Sequence, residues 1–186
     1  MKYIIEHFGK VYKWHLIEYK HISKIVGKNN LIFTNVKGKK DELLKLGKVY
    51  SESVAELGLD SICILDPAAK KILDSRDCKK FQYLVFGGIL GDYPPRERTK
   101  DLLTVKMPTV ETRHLGKEQF PTDNAVYVAH EIAKGKEFND LKFESDIEIE
   151  VGKKLSVHLP FKYVVVNNKP LMSEELIEFL KKRKTI

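Results

Sequence analysis

The residues best suited to chemistry lie together in the middle of the chain, directly after a glycine-rich turn. They are two acids and two arginines, namely Asp92, Arg96, Glu97 and Arg98. Carboxylates can hold a cation or accept a proton, and arginine side chains can bind phosphates or carboxylates through paired hydrogen bonds. Arg96, Glu97 and Arg98, which follow a double proline, also fit the solvated start of a helix that Asp92 would cap. Spacing alone does not decide between a ligand site and a helix start.

The glycine-rich turn itself ends an apolar run that favours a buried strand. Residues 81–86 form this run, and Gly87, Gly88 and Gly91 follow it. Many α/β proteins build a ligand site where a short buried strand ends in glycines. The spacing is not the GxGxxG fingerprint, so the glycines fit a tight structural turn as well as they fit a cofactor loop.

Other sequence motifs for catalysis or metal binding are missing. The six histidines and two cysteines show no HxxxH or CxxC spacing, which argues against a dedicated metal site. The sequence contains no GxSxG and no Walker motif, which argues against a nucleophile elbow and a P-loop. We therefore expect a site without a bound metal.

Length and composition are those of one soluble domain, or of one domain with a small appendage. The chain has 186 residues, of which 42% are hydrophobic and 32% charged. No apolar run reaches the ~20 residues that cross a bilayer, and the start of the chain is too polar for a signal peptide. We therefore expect a cytoplasmic protein with no membrane partner.

Predicted strands and helices alternate along the first two thirds of the chain. The strands are predicted at 2–7, 31–36, 61–65, 83–86 and 107–112, and the helices at 11–26, 40–46, 100–104 and 122–135. This alternation predicts an α/β fold, with a mainly parallel sheet flanked by helices on both faces. In such sheets, ligands bind beyond the carboxyl ends of the strands, where Asp66-Pro67 and Gly87-Gly88 lie.

The last fifty residues have a different, strand-rich pattern. Apolar and polar residues alternate at 147–151 and again at 155–159, which predicts a hairpin. A further strand is predicted at 161–166, with a turn at Asn167-Asn168 and a final helix capped by Ser173. We therefore expect a core at 1–140 and a small strand-rich C-terminal extension at 141–186, packed on that core.

Several of these segments together resemble one branch of the SPOUT-superfamily methyltransferases. It is the branch of the fungal enzyme that methylates an arginine of a small-subunit ribosomal protein. The resemblance rests on KYIIEH at 2–7, LDP at 65–67, FGGILGDYPPRERTK at 86–100, RHLGKEQ at 113–119 and PFKYV at 160–164. It extends over essentially the whole chain.

The resemblance implies a SPOUT fold with a deep trefoil knot at the C-terminal part of the core. It also implies that S-adenosylmethionine is the cofactor and is bent between three loops. The implied cofactor-binding residues are Leu65, Asp66, Pro67, Phe86, Gly87, Gly88, Ile89, Leu90, Gly91, Arg113, His114, Leu115, Gly116, Gln119, Phe120 and Thr122. The implied catalytic residues are Asp92, Arg96, Glu97 and Arg98. Asp123 is a loose candidate for a proton acceptor found in related enzymes.

The resemblance also implies an acceptor, an arginine of a ribosomal protein, and a monomeric enzyme. Two other functions stay open: an RNA methyltransferase acting on rRNA or tRNA, and a non-catalytic S-adenosylmethionine-binding module associated with the ribosome. The net charge of +7 suits an RNA partner or a protein acceptor surrounded by RNA, and a lysine-rich soluble surface explains it equally well. Carboxylates at Asp92 and Glu97 suit a guanidinium acceptor, whereas Arg96, Arg98 and Arg113 suit a nucleobase or phosphate.

Overall fold

The computed structural model describes residues 1–88, 97–152 and 155–182. Its strands are β1 (Lys2–His7), β2 (Leu31–Thr34), β3 (Lys48–Val49), β4 (Ile62–Leu65), β5 (Tyr83–Gly88), β6 (Glu111–Arg113), β7 (Phe143–Gly152), β8 (Leu155–Val166) and β9 (Lys169–Pro170). Its helices are α1 (Lys13–Val26), α2 (Lys40–Leu44), α3 (Arg98–Leu102), α4 (Thr122–Ala133) and α5 (Glu174–Lys182). The predicted site residues Ile89, Leu90, Gly91, Asp92 and Arg96 lie outside the described residues.

The first six strands form one parallel sheet in the order β3-β2-β1-β5-β4-β6. Strands β2 and β3 lie on one side of β1. Strands β5, β4 and β6 lie on the other side, in that spatial order. All strands point the same way, so their carboxyl ends share one edge of the sheet. The predicted mainly parallel α/β sheet is confirmed.

The apolar strands are buried because each of their faces meets a separate core. Ile62 and Ile64 of β4 contribute to one core, whereas Cys63 and Leu65 contribute to the other. This alternation follows from the two-residue period of a strand. The larger core is covered by α1 and α4. Leu103, which follows α3, and nearby turns cover the smaller one, so the second face carries less helix than we expected.

Strand β5 continues through both glycines, and the second of them is required by packing. Gly88 is paired with His7 of β1. A Cβ atom on Gly88 would lie only 2.6 Å from the Tyr19 hydroxyl oxygen and 2.8 Å from Cγ2 of Ile5. Any side chain here would therefore overpack the contact between the sheet and α1.

The C-terminal extension is an antiparallel sheet in which β8 is one strand of 12 residues. Separate strands at 155–159 and 161–166 were expected, and this prediction was wrong. Two residues of β8, Pro160 and Phe161, lie opposite the single residue Asp146 of β7, where φ is 56°, so a bulge in β8 takes Pro160 out of the paired register. Proline has no N–H to donate, so the bulge lets the strand pass through it. The turn at Asn167-Asn168 is confirmed, with φ values of 51° and 60°.

Helix α5 returns from the extension and packs against α1 and β7. In the described part of the chain, no helix combines the length and the apolar character needed to cross a membrane.

Candidate functional site

A cavity lies at the edge of the sheet where β4, β5 and β6 end. Its walls are the segment 65–67 at the end of β4, Phe86 and Gly87 near the end of β5, and residues of the segment 114–120 after β6. The start of α3 and the first turn of α4 complete it. The cavity therefore lies where the parallel topology predicts a ligand site.

Most of the predicted site residues that the structure describes meet around this cavity. They are Leu65, Asp66, Pro67, Phe86, Gly87, Glu97, Arg98, His114, Leu115, Gly116, Gln119, Phe120 and Thr122. Two described residues of the prediction, Gly88 and Arg113, are not among its lining residues. Gly88 packs against Tyr19 instead.

Four lining residues were missed, namely Thr99, Lys117, Glu118 and Ala125. Lys117 and Glu118 belong to the RHLGKEQ segment, which could have identified them. Ala125 lies one helical turn after Thr122, so helical spacing would have placed both residues on the same face of α4.

Asp66 gives the first cavity loop its shape. Its carboxylate accepts hydrogen bonds from the backbone N–H of Ala68 at 2.9 Å and from the Thr104 hydroxyl at 2.7 Å. Its own backbone N–H donates to the carbonyl of Arg113 at 2.8 Å. Asp66 is buried, and both of its carboxylate oxygens serve the protein itself. It therefore acts as a loop-stabilising residue at the cavity wall.

The Arg113 side chain is held by two acids, Asp77 and Glu111. Its guanidinium donates to Asp77 from Nε at 2.6 Å and from Nη2 at 3.2 Å, and also to Glu111 at 2.6 Å. The paired arginine lowers the pKa of Asp77 to about 2 and is the main reason for that shift. Only the backbone carbonyl of Arg113 reaches a cavity loop, where it accepts from Asp66. The structure thus gives this guanidinium a structural role, and the cofactor contact of Arg113 stays a prediction.

Glu97 and Arg98 lie at the start of α3 and line the cavity. The Glu97 carboxylate accepts a hydrogen bond from the Lys100 ammonium group at 2.7 Å, and both side chains are largely exposed. An exposed ion pair contributes little to stability, so an incoming cation can replace the lysine at low cost. The carboxylate can therefore bind a guanidinium at the cavity.

Gln119 carries an unsatisfied polar atom in the cavity wall. Its side-chain oxygen is buried and has no hydrogen-bond partner among the residues that the structure describes. A buried acceptor without a donor costs about 1–3 kcal/mol, which a ligand N–H group at this wall would recover.

A local hydrogen bond stabilises a turn in the loop after β6. The backbone N–H of Gly116 donates to Nδ1 of His114 at 2.9 Å, which leaves the ring proton on Nε2. Gly116 has φ of +96°, and a Cβ there would lie 3.2 Å from the Phe138 ring. Both the left-handed backbone and the close ring favour glycine at this position.

The start of α4 is held by α1 through a pair of carboxylates. Asp123 binds Nδ1 of His21 at 2.6 Å, and Glu18 accepts from the backbone N–H of Thr122 at 3.1 Å. Burial, and secondarily the nearby Asp123, raise the pKa of Glu18 well above its usual range. Asp123 is not among the lining residues of the cavity, and its role as a proton acceptor stays a prediction.

We expect the Glu18→Gln substitution to weaken the pH dependence of stability. Because the pKa of Glu18 is raised on folding, the folded chain keeps a proton that the unfolded chain releases. This contribution is complete below the ordinary glutamate pKa of about 4.3 and is lost as the pH rises through the raised value. Glutamine keeps the acceptor for Thr122 but does not titrate, so the fall in unfolding free energy from about pH 5 to 8 should shrink by about 1–2 kcal/mol.

Urea unfolding across this pH range measures the effect. The exposed Glu178 of α5 provides the control, since its replacement by glutamine should leave the pH profile unchanged. A profile of the Glu18→Gln variant that is parallel to that of the parent protein would contradict the assignment.

The comparisons with known proteins agree over nearly the whole chain. The family model described as "Protein arginine N-methyltransferase SFM1-like" matches residues 2–185. Protein arginine N-methyltransferase SFM1 of Saccharomyces cerevisiae is 38% identical over 202 residues, which cover 98% of this chain and 95% of the yeast protein. The crystal structure of yeast SFM1 complexed with SAM has a TM-score of 0.89 and 35% identity, and the match covers 97% of this chain and 90% of that one.

A more distant likeness concerns the fold alone. The crystal structure of a dual-specific Trm10 from Thermococcus kodakaraensis has a TM-score of 0.59 at 16% identity, with 75% of this chain and 95% of that chain covered. Together with the yeast structures, it confirms the fold class expected from the sequence.

Proposed function

The chain belongs to the SFM1-like family of protein arginine N-methyltransferases, and from that we propose that it transfers a methyl group from S-adenosylmethionine to an arginine side chain of a protein. The observation that carries this proposal is the cavity at the ends of β4, β5 and β6. It is walled by parts of the LDP, FGG and RHLGKEQ segments that also carry the family resemblance. The yeast relative has been crystallised with SAM and with SAH.

The cavity walls offer what this cofactor needs. Leu65, Phe86, Leu115 and Phe120 would pack against its adenine ring, and Gln119 would accept a hydrogen bond from one of its N–H groups. The backbone at Gly87 and Gly116 lies at the cavity, and the lack of a side chain permits close approach. We propose these residues, with Asp66 and Pro67 as the outer wall, as the cofactor-binding set.

Bound S-adenosylmethionine supplies a methyl group that is already activated by a positively charged sulfur. The enzyme must therefore orient the acceptor nitrogen and take up the proton that this nitrogen loses as the carbon–nitrogen bond forms. Glu97 is our candidate for both tasks, since its exposed carboxylate can bind the guanidinium and accept that proton, whereas the carboxylates of Asp66 and Glu118 are held by Thr104 and Lys162. Arg98 beside it would position the acceptor backbone or an acidic neighbour. We further propose that Asp92 and Arg96 of the same segment assist them.

We propose a ribosomal protein as the source of the acceptor arginine. The resemblance to the branch that modifies a small-subunit ribosomal protein supports this choice. The net charge of +7 is also suited to an acceptor that is surrounded by RNA. A monomeric state and a trefoil knot in the core stay predictions from the same resemblance.

A labelling experiment tests the acceptor. The protein is incubated with methyl-labelled S-adenosylmethionine and total ribosomal material, and the products are treated separately with nuclease and with protease. We expect label that survives nuclease, is released by protease and is recovered as methylarginine after hydrolysis. Label in RNA would contradict the proposal and support the RNA methyltransferase. Binding of the cofactor without any transfer would instead support the non-catalytic module.

A further inference from the structure

Strand β8 of the C-terminal extension is bonded directly to the cavity loop that follows β6. The backbone N–H of Lys162 donates to the carbonyl of Gln119 at 2.9 Å. The ammonium group of the same lysine pairs with the carboxylate of Glu118, which also accepts from the Ser145 hydroxyl at 3.3 Å. Glu118 and Gln119 both line the cavity. One lysine of the extension therefore holds two adjacent residues of the wall.

Aromatic rings also pack where the extension contacts the cavity loop. The Phe143 ring of β7 lies 5.6 Å from the Phe120 ring and 5.0 Å from the Phe138 ring, measured between centroids. The Lys162 ammonium lies 4.7 Å from the Phe143 centroid. The Lys162 side chain is only 17% exposed, whereas Glu118 is 55% exposed. The lysine is thus the fixed member of the pair and Glu118 the member carried by the loop.

The extension also anchors the start of α4, the next part of the wall. The Asn124 side chain is fully buried, accepts from the backbone N–H of Val164 at 2.9 Å and donates to the carbonyl of Leu171 at 3.0 Å. Hydrogen bonds and an ion pair to the extension therefore hold residues 118–124 at both ends of this segment. Within the described part of the chain, the loop between these two anchors pairs with no strand, so its conformation depends on such tertiary contacts.

We propose that Lys162 is a positioning residue that sets the conformation of the 117–120 loop and thereby the affinity for the cofactor. This inference rests on the proposed function, since it assigns the loop to cofactor binding. Fixing the backbone of one residue costs about 1–2 kcal/mol of conformational entropy, so a loop that is ordered before binding gives a tighter complex. The extension thereby contributes to cofactor binding by ordering this loop.

The Lys162→Met variant tests the proposal, because methionine keeps the apolar stem and removes the ammonium group. We expect the dissociation constant for S-adenosylmethionine, measured by calorimetry, to rise about three- to five-fold, as for a partly exposed ion pair. The turnover number at saturating cofactor should change less than about two-fold. In the protein without cofactor, amide hydrogen exchange at 117–120 should become faster.

Three further variants make the test specific. Lys162→Arg should restore affinity, and the exchanged pair Glu118→Lys with Lys162→Glu should recover part of it. Lys169→Met, which removes an exposed lysine from β9, should change nothing. If Lys162→Met does not fold, Glu118→Gln tests the same pair from the loop side and should also weaken binding.

Two different failures can be told apart. Unchanged cofactor affinity and unchanged hydrogen exchange in the Lys162→Met variant would overturn this inference and leave the proposed function intact. Absence of cofactor binding by the parent protein would instead refute the proposed function, and with it the inference.

Discussion

Replacing Glu97 with glutamine is expected to lower the turnover number by about a hundred-fold, a typical loss for a residue that accepts a proton. Glutamine has nearly the same size and can still form hydrogen bonds, but it cannot take up a proton or offset the charge of a guanidinium. The affinity for S-adenosylmethionine should stay within about two-fold of that of the parent protein, because Glu97 is assigned to the acceptor side.

Initial rates with labelled cofactor and calorimetric binding of the cofactor give the two quantities separately. The matched control is Asp101→Asn, which removes an exposed carboxylate from the same helix without altering a described lining residue of the cavity. Its turnover should equal that of the parent. Unchanged turnover in the Glu97→Gln variant would refute the catalytic assignment, and a loss of cofactor affinity would move Glu97 to the cofactor side.

Replacing Arg113 with methionine is expected to lower the free energy of unfolding by about 3–5 kcal/mol, because it removes one partner of a buried ion pair. Arg113 is only 4% exposed, and its guanidinium binds both carboxylate oxygens of Asp77. Without it, Asp77 would remain in the protein interior without its main partner. Lysine should restore only part of the stability, since a single ammonium group cannot form the paired hydrogen bonds.

Urea unfolding at neutral pH measures this loss. Arg76→Met provides the control, because the Arg76 side chain is 86% exposed and its replacement should cost little. The double variant with Asp77→Asn should lose less stability than the two single variants added together. A loss below about 1 kcal/mol for Arg113→Met would contradict the structural role.

The pH dependence of the same pair follows from the lowered pKa of Asp77. A carboxylate with a depressed pKa contributes stability that is complete above its ordinary pKa of about 3.9 and is lost as the pH falls through the folded value. Since that value is about 2, acid should destabilise the parent protein between about pH 4 and 2. The Arg113→Met variant should show less of this fall, because its Asp77 lacks the charge that lowers the pKa.

Most elements of the fold could be predicted from the sequence because they carry strong local patterns. The apolar runs of β1, β4 and β5, and the helical spacing of α1 and α4, need no distant partner to be recognised. Strand β3 was missed since two residues are too short to show a period. The continuation of β8 through Pro160 was missed because the bulge that permits it depends on the pairing of β8 with β7, which is not visible in the local sequence.

The sequence by itself determined which segments line the cavity, because the LDP, FGG and RHLGKEQ segments lie at the carboxyl ends of three parallel strands and such ends meet at one edge of the sheet. Only the tertiary structure decided what each side chain does there. The Arg113 guanidinium binds Asp77, and Gly88 leaves no room for a side chain beside Tyr19. The Glu118 carboxylate is paired with Lys162, which lies 44 residues further along the chain. The physical reason is that a local pattern determines a residue's backbone and face, whereas its partners depend on packing between elements that are distant in sequence.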